Sequence, residues 1–238
     1  MFNYGFDQEW LTVNPAHRMP LPADEAARDR VLSDDEIRRF WFFAHEEPKV
    51  KPVKKRRLKV TPGKRRPPEI SIEARRRWAV LTRAMHLLRL ITAQRGEEVL
   101  SMASTHISGH WWTIPADVAK NGLAHRVPLT PMALAEIDRL KQMGLLGETQ
   151  FFTGVRGPVQ RRGALDDLGI PDFQPRDLRR TAASKMTGAG VDRFVVKRIL
   201  NHVDPEITAV YDRHSYDREK REGLMVWDLE LSRIVRGE

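Results

Sequence analysis

Residues 110–130, HWWTIPADVAKNGLAHRVPLT, hold two short β-prone runs, 111–115 and 125–129, on either side of the turn-forming AKNG. Runs of this kind around an Asn-Gly turn read as a β-hairpin. The hairpin is constraining because most of the chain around it reads as helix. Ahead of it, IEARRRWAVLTRAMHLLRLIT places Trp78, Leu81, Met85 and Leu88 at helical spacing, and AQRGEEVLSM breaks at Gly96 and continues as another helical turn. Further upstream, Ser33 to Glu36 (SDDE) is a capping box, with Ile37, Phe40, Trp41 and Ala44 following at helical intervals. Behind the hairpin, Thr130-Pro131 starts a helix with Leu134, Ile137 and Leu140 inward. QFFTG reads as a short strand or a loop. The remainder reads as helical, punctuated by Gly157, Gly169, Gly188 and Gly190, and ends in a helix at about 216–236 that aligns Leu224, Trp227, Leu231 and Ile234. The expected fold class is therefore mainly α with one small antiparallel β-sheet (α+β), without internal repeats.

A chain of 238 residues buries a sizeable core, as one large or two small domains. Its formal net charge of +9 suits nucleic acid or an acidic membrane surface. The charge is concentrated: residues 49–66, KVKPVKKRRLKVTPGKRR, carry ten Lys or Arg and no acid, more than the whole net charge. Pro and Gly within that run argue for a flexible basic loop. It is either a solvated linker or a loop that grips phosphates through Lys54, Lys55, Arg56, Arg57, Lys64, Arg65 and Arg66 without reading bases. Residues 1–30, turn-rich with Pro15, Pro20 and Pro22, read as a linker or arm. The absence of cysteine excludes a disulfide framework and a thiolate metal site. No stretch approaches the ~18–20 apolar residues of a membrane span. The start, MFNYGFDQEW, lacks the basic-then-apolar layout of a signal peptide.

Common catalytic sets are missing: there is no phosphate-binding G-x-x-x-x-G-K-[ST] loop, no G-x-S-x-G elbow and no H-E-x-x-H. The eight histidines are scattered, and no carboxylate cluster resembles a divalent-metal site. What remains is basic. QPRDLRRT sets Arg176, Arg179 and Arg180 at a helix start, where the helix dipole favours anions instead. Either these arginines are solvated, or an anion docks against them. With Arg95, Lys120, His202 and Tyr211 they suggest a basic pocket and one tyrosine, a combination suited to phosphoryl transfer through a protein nucleophile.

Four segments resemble the boxes of the tyrosine recombinases, the phage-integrase family. LLRLITAQRGEEVLSM looks like the first arginine box, WWTIPADVAKNGLAHRVPLT like the hairpin that carries the catalytic lysine, and FQPRDLRRTAASKM like the second box. ILNHVDPEITAVYDRHSY looks like the final box, with a histidine nine residues before the nucleophilic tyrosine. They occur in family order at family-like spacings, over roughly residues 31–220. NPAHRMPLPADEAARDRVLSDDEI also resembles the interdomain linker of island-type integrases. The resemblance implies the DNA breaking-rejoining fold of a catalytic domain at 31–238; a basic insertion at about 46–69 departs from the family pattern, and the separate DNA-clamping domain that family members usually carry ahead of the catalytic domain is not expected in this sequence. It implies a site-specific recombinase of a mobile element or prophage, acting on double-stranded DNA attachment sites as a homo-tetramer on DNA, with a monomer as the alternative when free and a directionality factor as a further possible partner. No cofactor, metal or ATP is expected, and the expected location is cytoplasmic, at the nucleoid when bound.

The roles follow from the same resemblance. Tyr211 attacks a phosphodiester and leaves a 3′-phosphotyrosyl link and a free 5′-hydroxyl. Arg95 and Arg179 present forks of donors to the non-bridging oxygens. Lys120 protonates the leaving oxygen, and His202 donates to the same phosphate. Arg176 stands where the family usually has histidine. It cannot act as a base, but can hold the phosphate or favour the phenolate as a fixed charge. Arg180 points about 100° away around the helix, toward backbone phosphate or an acid. Taken singly, each residue has a plainer reading: Arg95 as a helix-end charge, Lys120 as a turn lysine, His202 as a helix cap, Tyr211 as a half-buried core tyrosine. Glu98 reads as support for Arg95, and His125 as a hairpin residue outside the site. A catalytically silent DNA-binding relative is the other function these residues allow.

Overall fold

The computed structural model describes residues 2–17, 28–50, 70–155, 163–202 and 215–238. In chain order these form α1 (Phe2–Asp7), α2 (Asp34–His45), α3 (Ile72–Thr92), α4 (Gly96–Leu100), β1 (Ile107–Ser108), β2 (Trp111–Ile114), β3 (His125–Pro128), α5 (Pro131–Gln142), α6 (Pro175–Gly188), α7 (Arg193–Ile199) and α8 (Asp217–Arg236). Short 3-10 turns lie at Ser104–His106 and Asp166–Leu168.

The core is built around α3. Ser71 caps it by accepting from the Ala74 amide at 3.1 Å. Every residue from Leu81 to Thr92 is buried, because α2, α5, α6 and α8 all pack on this helix. Trp78, expected inward, is only half-buried, since it lies a turn before that enclosed section. The Ser33–Glu36 capping box forms as expected, and Ile37, Phe40 and Ala44 enter the core behind it. Leu224, Trp227, Leu231 and Ile234 are buried along α8, and the Trp227 indole donates to the Leu90 carbonyl at 3.0 Å. Burying an indole without that partner would cost a hydrogen bond, so this contact also fixes the depth of α8. Gly223 lets α7 lie directly on α8: a Cβ there would stand 3.0 Å from Ile199 Cδ1 and 3.1 Å from Val191 Cγ1.

The sheet has three antiparallel strands in the order β1-β2-β3. The expected hairpin is β2 with β3, in the register Trp111↔Pro128 to Ile114↔His125. Its connection runs over residues 115–124, and the two-residue β1 adds an edge that the sequence did not announce. Trp112, Ile114 and Val127 face the core, whereas Trp111 lies on the other face under the Arg126 guanidinium, 4.5 Å from its ring centre.

Two stretches depart from expectation. The helical reading of the chain after QFFTG fails at residues 164–174, which are turns and irregular backbone apart from the Asp166–Leu168 3-10 turn; Gly163 is helical, and residues 156–162 lie outside the described residues. Gly169 stands at positive φ there, which a continuous helix excludes, and Gly154 at the end of QFFTG does the same. QFFTG itself forms no strand, only an isolated bridge between Ala103 and Gln150. Within the expected linker, residues 2–7 form the short helix α1, closed by Gly5 against Leu11 and by Tyr4 edge-on to Trp10 at 5.6 Å.

Candidate active site

Arg95 stands at the start of α4, not at the end of α3. The preceding helix finishes at Ala93, which takes a left-handed backbone (φ 57°), and Arg95 returns to extended geometry as the N-cap of α4. Glu98, almost wholly buried, accepts from the Arg95 amide at 3.0 Å and from Nη1 at 2.9 Å. One carboxylate thus caps the helix and holds the guanidinium, the supporting role its spacing suggested.

Arg179 comes to this point from α6. Its Nη1 donates to the Ala93 carbonyl at 2.8 Å and its Nη2 to the Leu200 carbonyl at 2.5 Å. Its Nη2 also lies 3.5 Å from His202 Nε2, a long contact. Burial first, then the charges of Arg95 and Arg89, lower its pKa to about 9, and Glu98 offsets part of this. The group remains cationic at neutral pH. Arg89, buried on the last turn of α3, is a third arginine of the cluster that sequence reading passed over. Gly96 makes room for it: a Cβ there would meet Arg89 Nη1 at 3.2 Å. Its signal was an arginine in a stretch otherwise read only for its apolar face.

His202 is placed by the end of α7. The Asn201 amide bonds the Arg198 carbonyl at 3.2 Å and the His202 amide the Lys197 carbonyl at 3.1 Å, while Asn201 stands at φ 50°. This is a Schellman ending with Asn in the left-handed position, and it turns His202 back toward Arg179. Partial burial, then Arg179, Arg95 and Lys197, push the imidazole pKa below its ordinary value, so the ring is neutral at pH 7 and keeps one N–H to donate. The two carbonyls before Asn201 are held from other elements. Gln94 Nε2 and His125 Nε2 reach the Ile199 carbonyl at 2.9 and 3.0 Å, and Arg179 reaches that of Leu200. His125 therefore supports the site from β3. Its buried ring, with the Lys220 charge nearby, is driven down to about 4 and stays neutral.

Lys120 lies exposed in the β2–β3 connection. Its neighbour Asn121 bonds Asn201 through both side-chain amides, at 3.0 and 3.2 Å, which brings the lysine's loop to the His202 turn. Arg176 is exposed on the first turn of α6. Asp177, fully buried, resolves the oddity of arginines at this helix start. It accepts from the Gln174 amide at 2.9 Å, from Arg28 Nε at 2.9 Å and Nη2 at 2.8 Å, and from Arg180 Nη1 at 3.3 Å. Burial would raise its pKa, but Arg28, the Gln174 amide and the nearby Arg30 outweigh it and hold the carboxyl below its ordinary value. Arg180 is thus engaged with an acid. Arg28 also pairs with Asp172 at 2.9 Å, and Arg30 with Glu36 at 2.7 Å, so the end of the expected linker is stapled beside the second arginine box. Tyr211 and the basic residues Lys54, Lys55, Arg56, Arg57, Lys64, Arg65 and Arg66 lie outside the described residues. Beyond the stretch that bears Tyr211, Tyr216 packs edge-on to Phe194 at 5.2 Å with the Arg198 guanidinium 4.8 Å from its ring centre.

The structure brings Arg95, Arg179 and His202 to one basic site with Glu98 beneath it, and ties the Lys120 loop to its edge. Among the described residues no group of three or more His, Asp or Glu is placed to hold a metal ion, and no helix is long and apolar enough to cross a membrane.

Comparison with solved structures gives the integrase from mycobacterium phage Brujita at 16% identity and a TM-score of 0.54, covering 98% of this chain and 72% of that one. A lambda integrase (75–356) dimer bound to a COC′ core site matches at 17% identity and a TM-score of 0.52, over 90% of this chain and 70% of that one. A lambda integrase tetramer bound to a Holliday junction matches at 18% and 0.51, over 91% and 57%. At these identities the likeness is one of fold. Comparison with curated proteins gives no significant match. The model of the phage integrase family matches residues 71–218, more than half of the sequence and every box discussed above. A mainly helical domain with a three-stranded antiparallel sheet, two arginine boxes meeting at one site and this family match together establish that the chain belongs to the phage integrase family, the tyrosine recombinases.

Proposed function

We propose that this chain is a site-specific recombinase that cleaves and rejoins double-stranded DNA through Tyr211. The observation that carries the reading is the meeting of Arg95, Arg179 and His202, drawn from three separate segments, at one strongly basic point that is half-buried at the two arginines and open to solvent at His202. Positive charge in such excess is costly in a protein interior unless an anion binds there. A phosphodiester is that anion. Tyr211 Oη forms a bond to phosphorus, the bond from phosphorus to the 5′-oxygen breaks, Lys120 protonates that oxygen, and the phenolic proton leaves to water. Arg95 and Arg179 stabilise the charge spread over the non-bridging oxygens, and His202 donates to one of them. The 3′-phosphotyrosyl link conserves the bond energy, so rejoining by the 5′-hydroxyl needs no ATP and no metal. Residues 31–238 form the catalytic domain in this reading, the basic segment near 49–66 grips phosphates, and copies of the chain assemble on DNA as a tetramer. DNA in the lambda integrase structures, one a dimer and one a tetramer, agrees with these partners.

A second reading, a DNA-binding relative without cleavage, draws on Arg176, exposed in the place of a histidine, and on the two backbone carbonyls that already occupy Arg179. A suicide DNA substrate nicked beside the cleavage position separates the two. The recombinase becomes covalently attached, Tyr211→Phe binds equally well without attachment, and chelators change neither result. Binding without attachment by the unaltered chain supports the silent relative. Attachment by the Phe variant removes Tyr211 as nucleophile, and the packing of Tyr216 on Phe194 and Arg198 makes it a poor substitute.

A further inference from the structure

The β2–β3 connection and the His202 turn are joined by two side-chain amides that no motif of the chain predicts. Asn121 Nδ2 donates to Asn201 Oδ1 at 3.0 Å, and Asn201 Nδ2 returns a hydrogen bond to Asn121 Oδ1 at 3.2 Å. The pair closes a two-bond ring across 80 residues of sequence. Asn121 Nδ2 also lies 3.3 Å from the Asn201 carbonyl, and the Leu123 amide donates to Asn121 Oδ1 at 3.2 Å. Both residues are half-buried. A carboxamide presents its donor and its acceptor on two separate atoms of one planar group; an ionised Asp has no donor, and a Ser hydroxyl is shorter and has one atom for both roles, so neither can reproduce the ring.

The backbone adds a second argument. Asn201 stands at φ 50°, where glycine is the least strained residue. An asparagine there meets the backbone requirement at some cost and adds the amide that reaches Asn121. The residues so joined are the immediate neighbours of the two groups that act on the leaving and non-bridging oxygens: Lys120 precedes Asn121, and His202 follows Asn201. The bond from His125 to the Ile199 carbonyl roots the same hairpin to the same turn from β3, so the amide ring governs the outer part of the loop, where Lys120 lies.

We infer that Asn121 and Asn201 are positioning residues, an amide clasp that docks the Lys120 loop beside His202 so that the lysine meets the leaving 5′-oxygen. The inference rests on the reading of Lys120 and Tyr211 given above. As the bond from phosphorus to the 5′-oxygen breaks, its electron pair stays on that oxygen, which takes a proton from Lys120 Nζ. On rejoining, the lysine amine takes the proton back from the 5′-hydroxyl. A loop released from the clasp weakens this proton transfer and leaves the Arg95 and Arg179 cradle in place.

The test compares Asn121→Ala and Asn201→Gly with the unaltered chain in single-turnover cleavage of the nicked substrate. One substrate carries the ordinary 5′-bridging oxygen and the other a 5′-bridging sulfur. A thiolate, whose acid has a pKa of about 8.5, leaves without needing a proton. Glycine keeps the left-handed backbone at position 201, so its variant removes the amide alone. Both variants are expected to bind DNA normally, to cleave the oxygen substrate about tenfold to a hundredfold more slowly, and to recover near-unaltered rates on the sulfur substrate. Adding Asn121→Ala to Lys120→Ala is expected to slow oxygen cleavage no further. Equal slowing on both substrates, no slowing on oxygen, or additivity with Lys120→Ala overturns the clasp. Should Asn121→Ala fail to fold, Asn121→Asp, which keeps the acceptor and loses the donor, is read by the same criteria. Failure of the unaltered chain to form an adduct on either substrate overturns the Tyr211 reading itself, and the clasp with it.

Discussion

Arg179 donates a hydrogen bond to the Ala93 carbonyl at 2.8 Å although 86 residues separate the two in sequence. Ala93 is the left-handed residue that ends α3, and Arg95 follows two positions later. This one bond therefore sets the spacing between the two arginine boxes. The second bond, to the Leu200 carbonyl, sets the spacing to His202. Both use the fork of a guanidinium, whose donors diverge in a fixed plane.

Arg179→Lys is accordingly expected to be costly despite keeping the charge. An ammonium on a single stem cannot bridge the Ala93 and Leu200 carbonyls and still present a pair of donors to a phosphate. Single-turnover cleavage should fall by about 10²–10³-fold, the scale of losing one transition-state donor. Urea unfolding should show a loss of about 1–3 kcal/mol, because a buried carbonyl loses its partner. Cleavage at the unaltered rate would remove Arg179 from the site.

Arg176 has a separate test, because it sits exposed on the helix whose inner side carries Arg179. As a fixed positive charge near the phenol, it should be better than histidine and much better than alanine. Arg176→Ala is expected to cleave about tenfold more slowly, which is ~1.4 kcal/mol of barrier, and more slowly than Arg176→His at every pH. A rate increase for Arg176→His below pH ~8, where phenols are hardest to ionise, would show that a proton relay is the better use of this position. Normal cleavage by Arg176→Ala would place the residue outside the chemistry.

The pH dependence of stability is expected to follow His125. In an unfolded chain an imidazole takes its proton near pH 6.5, whereas folded His125 resists it down to about 4. Between these values the unfolded state binds more protons, so stability present above pH ~6.5 is lost as pH falls toward 4. The difference corresponds to an upper figure on the order of 3 kcal/mol. His125→Gln keeps an N–H for the Ile199 carbonyl and does not titrate. Its urea midpoint should fall less than that of the unaltered chain between pH 7 and pH 4.5. His202 is shifted in the same sense and contributes with the same sign.

The basic run is tested through salt. Replacing Lys54, Lys55, Arg56, Arg57, Lys64, Arg65 and Arg66 by serine should weaken binding to all DNA sequences alike. It should flatten the log–log salt dependence by about 0.9 for each phosphate that the run no longer neutralises. Unchanged affinity at low salt would leave the run as a plain linker.

Much of this protein is local and was legible as such. The Ser33–Glu36 box, the Thr130-Pro131 helix start, the buried stripe of α8 and the hairpin register alternation each depend on residues within a turn or a strand of one another. The same holds for Glu98 and Arg95, three positions apart on one helical turn. Pattern and chemistry coincide there because backbone hydrogen bonding couples neighbours in sequence. The non-helical path of residues 164–174 was less legible, since Gly169 at positive φ breaks the helix there and composition does not reveal that sign.

What tertiary structure decided is which distant groups meet. Asp177 reads as an ordinary first-turn acid, yet it is the buried anchor of Arg28, 149 residues away. Arg89 reads as one charge in a helix, yet burial places it with Arg179 and Arg95. Asn121 reads as a turn residue and Asn201 carries no reading of its own in the sequence, yet their amides close on each other. In each case the side chain leaves its own element, and the energy of the interaction depends on the loss of water around it. Desolvation belongs to the packed core as a whole, so no local period in the sequence can encode it.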